Sequence, residues 1–225
     1  MNADSEMLNS FDHGMVHYVQ LDTETDLGYG FPPPGVASGT GGGPFNSTPN
    51  AQATWLEQDL ASVDRRKTPW IIVTGHRPWY LSYPNVTKTI CWSCKDVFEP
   101  LFLKYDVDLY FSGHAHVYQR SAPIANQVID PNELNNPSAP WYITNGAGGH
   151  YDGLDSLQRP PQPYERFGLD TNEKAYGWSM LTFHNCTHLT HDFVLSANGS
   201  VLDSATLYKN RTCAVTCGKK ARSSK

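Results

Sequence analysis

Three histidines stand where they could do chemistry together: His76, His114 and His116. His114 and His116 lie in Gly113-His114-Ala115-His116, and side chains of an extended segment alternate with period two, so both imidazoles are expected on one side. Gly113 allows a tight turn after the apolar run Val107–Phe111. His76 follows a second apolar run, Trp70–Thr74, in Gly75-His76-Arg77-Pro78. If the two runs are parallel strands, both loops reach one point. Three neutral imidazoles there would favour a borderline divalent metal such as zinc or iron. The competing reading is three ordinary histidines satisfied by hydrogen bonds in turns. His184, His188 and His191 also cluster, but residues three apart on a strand face opposite ways, and these are read as structural. His13, His17 and His150 have no partner at ligand spacing.

Other chemistries find less support. There is no GxSxG nucleophile elbow. The Gly/Pro-rich stretch 26–50 lacks the GK[ST] ending of a phosphate loop and reads as a surface excursion. Asp22-Thr23-Glu24 is a tight acidic group at the end of a strand and reads as turn chemistry. Cys91-x-x-Cys94 could be a redox pair, half a zinc site or a local disulfide; no second CxxC follows, and the disulfide is the favoured reading. Five cysteines leave one thiol over.

The elements that must hold these residues are legible from periodicity. Met15–Leu21 reads as a strand and Asn50–Lys67 as a helix, with Trp55, Leu56, Leu60 and Val63 at helical spacing. The strand Trp70–Thr74 follows. A second helix over Lys95–Tyr105, a second strand over Val107–Phe111 and a second histidine loop repeat the order. Alternating helices and short buried strands predict an α/β sheet, largely parallel here, with its site at the C-terminal strand ends. Trp141–Thr144 reads as a further strand. Ser179–Phe183, Leu189–Leu195 and Val201–Tyr208 read as antiparallel strands, with a hairpin turn at Asn198-Gly199.

The whole chain of 225 residues carries Lys+Arg 17 against Asp+Glu 22, a formal net charge of -5. Its sequence pI is near 5.9 and its mean hydropathy -0.48. An acidic chain without a basic stripe is a poor partner for nucleic acid or anionic membrane, and no apolar run approaches the roughly 20 residues of a membrane span. Five Asn-x-Ser/Thr sequons, at Asn46, Asn85, Asn185, Asn198 and Asn210, point to a secreted glycoprotein. The polar, acidic start is not a signal peptide. Together with the odd cysteine, it suggests that an N-terminal part is missing.

Val73-Thr74-Gly75-His76-Arg77-Pro78-Trp79-Tyr80 and Ser112-Gly113-His114-Ala115-His116-Val117-Tyr118 resemble the last two of the five metal-ligand motifs of purple acid phosphatases, which are calcineurin-like metallophosphoesterases. Phe11 to Tyr18, Asp22-Thr23-Glu24 and the stretch from Tyr176 to Tyr208 are similar to secreted fungal members. The resemblance implies part of a metallophosphoesterase β-sandwich with flanking helices, incomplete, and ending in antiparallel strands. It divides the chain into 1–175, the C-terminal part of the catalytic domain, 176–212, the C-terminal strand region, and a basic tail 213–225. It implies an acid phosphatase in which two metals, Fe(III) with Zn, Mn or Fe(II), clamp a phosphate monoester while a metal-activated hydroxide attacks phosphorus. His76 and His114 would bind the divalent ion and His116 the ferric ion, with His114 and His116 also bordering the phosphate. A homo-oligomer is compatible with the resemblance.

The sequence departs from that pattern. The D-x-G, G-D-x-x-Y and G-N-H-[DE] motifs do not occur before Phe11, so four of the seven implied ligands are absent. Tyr83-Pro84-Asn85-Val86 stands where plant members carry a substrate-side histidine, which leaves the proton donor unassigned, and Gln119 stands where Glu is common. The missing strands would leave an uncovered sheet edge and low stability. Two further readings follow: a catalytically inactive secreted glycoprotein serving as a structural or binding module, and a zinc-only binding protein. The second of these has no carboxylate partner evident in the sequence.

Overall fold

The structure, a computed structural model, describes residues 9–24, 51–84 and 89–214. The stretch 26–50 with its sequon at Asn46, the sequon at Asn85, and the tail from 215 with Cys217 lie outside the described residues. Strands β1 (Asn9–His13), β2 (Val16–Gln20), β3 (Trp70–Gly75), β4 (Leu109–Ser112), β5 (Tyr118–Ser121), β8 (Trp141–Asn145) and β9 (Glu165–Leu169) form a seven-stranded sheet in the order β1-β2-β3-β4-β8-β5-β9. Strands β2, β3, β4 and β8 run parallel to their neighbours, and the flanking pairs are antiparallel. A small hairpin, β6 (Ile124–Ala125) and β7 (Val128–Ile129), precedes β8. Strands β10 (Gly177–Phe183), β11 (His188–Leu195) and β12 (Val201–Tyr208) make a second, antiparallel sheet.

The pleat sorts the apolar runs into two cores. Ile71, Val73, Tyr110 and Tyr142 face helices α1 (Ala51–Ser62) and α2 (Trp92–Lys104), where they meet Leu56, Leu60, Phe98 and Phe102. Trp70, Ile72, Leu109, Trp141 and Ile143 face the other way and pack on Leu189, Phe193 and Leu207 of the three-stranded sheet. The result is a layer of helices, the large sheet and the small sheet. Buried on both faces, β3 has no polar face to show, which explains its unbroken apolar run.

Both helices differ from the sequence expectation at their ends. Helix α1 stops at Ser62 rather than Lys67, because the Asp64 carboxylate accepts from Arg66 N and draws the chain into a turn. Helix α2 starts at Trp92 rather than Lys95, with Cys91 as its cap and the Cys91–Cys94 disulfide across its first turn. Cys186 pairs with Cys213. Strands β1, β5, β6, β7 and β9 were not foreseen by the periodicity. Among the described residues no helix is long and apolar enough to cross a membrane.

The two sheets are joined by a buried polar seam. Arg120 on β5 makes two hydrogen bonds to the Asp203 carboxylate on β12, at 2.7 and 2.9 Å, and Tyr118 Oη donates to the same group at 2.6 Å. Burial pushes the His191 imidazole down to about 4, so it sits there neutral, with Nε2 2.9 Å from Ser179 Oγ. Ser179 Oγ in turn accepts from Asn145 Nδ2 at the end of β8.

Candidate metal centre

Three adjacent parallel strands end at the same edge of the sheet. Gly75 of β3 lies opposite Ser112 of β4, and Ser112 opposite Thr144 of β8. The loop after β3 carries His76, the loop after β4 carries His114 and His116, and the loop after β8 carries His150 and Asp152. Gly113 N donates to His76 O at 3.0 Å and ties the first two loops together. A Cβ at Gly75 would lie 2.5 Å from Tyr110 Oη, so glycine is what lets β3 pass beneath the site. A Cβ at Gly146 would run into Ala115 O, between the second loop and the third.

His76, His114 and His116 line one cleft of about 460 Å³, together with Tyr83, Thr89, His150, Asp152 and Asp155. The structure therefore brings all three expected histidines to one cavity, but by a different local geometry. Residues 114–117 are bent, not extended, and His114 has φ +65. The left-handed residue turns its imidazole toward His76, while His116 turns toward the third loop. His114 Nδ1 lies 3.0 Å from His76 Nε2, and Arg77 Nη1 donates to His114 Nε2 at 3.1 Å. His116 Nδ1 lies 3.1 Å from Gly153 O, and its backbone N–H donates to Asp155 Oδ2 at 2.8 Å.

Burial disfavours charge on the His114 and His76 rings. Burial, then the Arg77 charge and the neighbouring histidines, push His114 down to about 4. His76 is also held below its usual value, chiefly by the burial of its ring. Neutral imidazole is the metal-binding form.

Supporting contacts give the departures in the sequence a place. Glu24 holds Arg77 in a two-pronged ion pair, with Nε to Oε1 at 2.7 Å and Nη2 to Oε2 at 2.9 Å. Asp22 Oδ1 accepts from Glu24 N, which is the expected turn, and Gln52 of α1 clamps the backbone N–H and carbonyl of Asp22, each at 2.7 Å. Gln119 is buried; its Oε1 accepts from Ser82 N and its Nε2 donates to Tyr80 O, fixing the loop that follows His76. Tyr83 lines the cleft in the region where plant members carry histidine, and burial plus its bond to Asp155 push its phenol up to about 12.

Sequence reasoning missed His150 and Asp152. The His150 ring lies against His116 at a tilt of 43°, with ring centroids 4.6 Å apart, and its Nδ1 is hydrogen-bonded to Asp152 Oδ1. A signal existed: Trp141–Thr144, Gly146 and His150 repeat the order of apolar strand, glycine and histidine seen twice before. His17 also has partners, Asp12 and Asp59, far from the cleft.

A family model described as calcineurin-like phosphoesterase matches residues 12–118, and one described as iron/zinc purple acid phosphatase-like protein C matches residues 139–204. The chain belongs to the purple acid phosphatase branch of these phosphoesterases. It is 44% identical over 207 residues to acid phosphatase A of Cryphonectria parasitica, covering 90% of this chain and 39% of the relative. It is 33% identical over 232 residues to an acid phosphatase of Aspergillus ficuum, covering 89% and 37%. Its fold matches the purple acid phosphatase from yellow lupin seeds with a TM-score of 0.73 at 24% identity, over 93% of this chain and 35% of the lupin chain. The chain thus spans about two-fifths of the length of the curated fungal relatives it matches.

The residues present fit a divalent metal of the kind purple acid phosphatases use. Neutral imidazoles from two strand ends meet within hydrogen-bond distance, and the donors are nitrogens suited to zinc or iron.

Proposed function

We propose that this chain carries the histidine half of a metal-dependent acid phosphatase centre acting on phosphate monoesters. The observation that supports this most is the convergence of His76, His114 and His116 on one cleft at the C-terminal ends of β3 and β4. His76 and His114 would hold a divalent ion and His116 a second, ferric one, with zinc, manganese or iron(II) as its companion. When bound, the metals supply Lewis-acid charge for the phosphoryl oxygens and lower the pKa of water. Arg77, itself oriented by Glu24, fixes the His114 ring and places positive charge beside the expected phosphate position. His114 and His116 border that position. We further propose residues 1–175 and 176–212 as the two functional regions and 213–225 as a tail. We also propose secretion with glycans on the five sequons, of which Asn198 and Asn210 are exposed and Asn185 is half-buried.

Hydrolysis of p-nitrophenyl phosphate at acid pH, with zinc, iron or manganese supplied, tests the assignment. Turnover should fall by at least ~100-fold in His114→Ala. A second reading, a glycoprotein that keeps the fold without catalysis, draws on the carboxylates. Among the described residues of the cleft only Asp152 and Asp155 carry them, and Asp155 is taken by the His116 N–H. No turnover with any of the three metals would replace the first reading with this one.

A further inference from the structure

We propose that the loop after β8 brings its own metal donors to the cleft: His150 and Asp152 face His116, and the three together hold a divalent ion of the zinc class. This rests on reading the cleft as a metal centre; it adds two donors that lie outside the two histidine motifs, and with them His116 holds a divalent ion in place of the ferric one. The donor atoms of His116, His150 and Asp152 all lie within 4.8 Å of one another. Zinc binds imidazole nitrogen and carboxylate oxygen at about 2.0–2.2 Å, so donors around one ion sit roughly 3–4 Å apart. Small side-chain rotations would close the set.

The tautomers favour it. Gly153 O can only accept, so His116 Nδ1 donates to it, and Nε2 is the ring nitrogen left to face an ion. Asp152 Oδ1 and His150 Nδ1 already face each other, so an ion held by both would take the place of the His150 Nδ1 proton. A carbonyl behind the ring is how ligating histidines are oriented, and His116 has one in Gly153 O. Asp152 Oδ1 is also 3.7 Å from His116 Nδ1, so the same carboxylate oxygen faces both rings. Two imidazoles and one carboxylate leave a coordination position open for a substrate oxygen. His150 and Asp152 are exposed, so an ion can enter from solvent.

The test is zinc titration of the full chain by calorimetry, with cobalt(II) absorption as a second readout, in the wild type, His150→Ala and Asp152→Asn. Each variant should weaken one equivalent of zinc by about 10–100-fold and change the cobalt band. Circular dichroism should stay constant, because both side chains are exposed. Wild-type zinc affinity and cobalt spectra in both variants overturn the site, as does a wild type that takes up no zinc. Turnover lost in His114→Ala with zinc uptake indifferent to His150 removes this site and keeps the phosphatase reading. Uptake sensitive to His150 in a protein without turnover does the reverse.

Discussion

His17 is held between two carboxylates, with Nδ1 2.7 Å from Asp12 Oδ1 and Nε2 2.9 Å from Asp59 Oδ2. Burial alone would push its imidazole down, but the bonds and charges of Asp59 and Asp12 outweigh burial and hold it above its usual value. A raised histidine stabilises the fold fully below about 6.5, its unfolded pKa, and that contribution fades as pH rises through the folded value. Asp59→Asn should therefore cost about 1–2 kcal/mol at pH 5 and clearly less at pH 9. Denaturant unfolding at both pH values reads this directly; an equal cost at the two would refute the charged pair. Neither the partners of His17 nor the meeting of His150 with His116 could be read from spacing alone. Asp12 and His17 meet only because β1 folds back on β2, and His116 reaches His150 only because β4 and β8 are neighbours. Spacing along the chain shows HxH, while partners 34 residues away depend on topology.

At the scale of elements, the loops are positioned by glycines as much as by histidines. The Cβ of Gly146→Ala would strike the backbone of Ala115, between His114 and His116. The variant should lose about 1–3 kcal/mol of stability and weaken metal uptake without changing a donor. Gly148→Ala, with nothing within 4 Å of its Cβ, is the control and should leave both unchanged. Thermal melts and zinc titration of the pair decide it, and similar behaviour of the two variants would count against this role. The strands buried on both faces were readable because their apolar runs are continuous, as in Trp70–Val73 and Trp141–Ile143. Strand β5 was not, because Tyr118-Gln119-Arg120-Ser121 looks like a loop until Asp203 is seen to neutralise Arg120 and Ser82 to occupy Gln119. Strand β1 is similarly polar and mostly exposed.

At the scale of the molecule, the small sheet is coupled to the site by a run of side chains and by Gly177 N, which donates to Ala147 O in the loop that carries His150. The seam from Asp203 through Tyr118, His191 and Ser179 reaches Asn145, whose Oδ1 accepts from Ala147 N at the start of the loop bearing His150. Asp203 is buried between the sheets and Arg120 is largely so, and removing one partner would strand the other charge. The same sheet is closed covalently by Cys186–Cys213, which encloses β11, β12 and the exposed turn at Asn198-Gly199. A protease that nicks the deglycosylated chain at this turn therefore yields two fragments that still migrate as one band on a non-reducing gel. They separate only when a thiol is added, and the nicked protein keeps the edge-to-edge pairing of its last three strands.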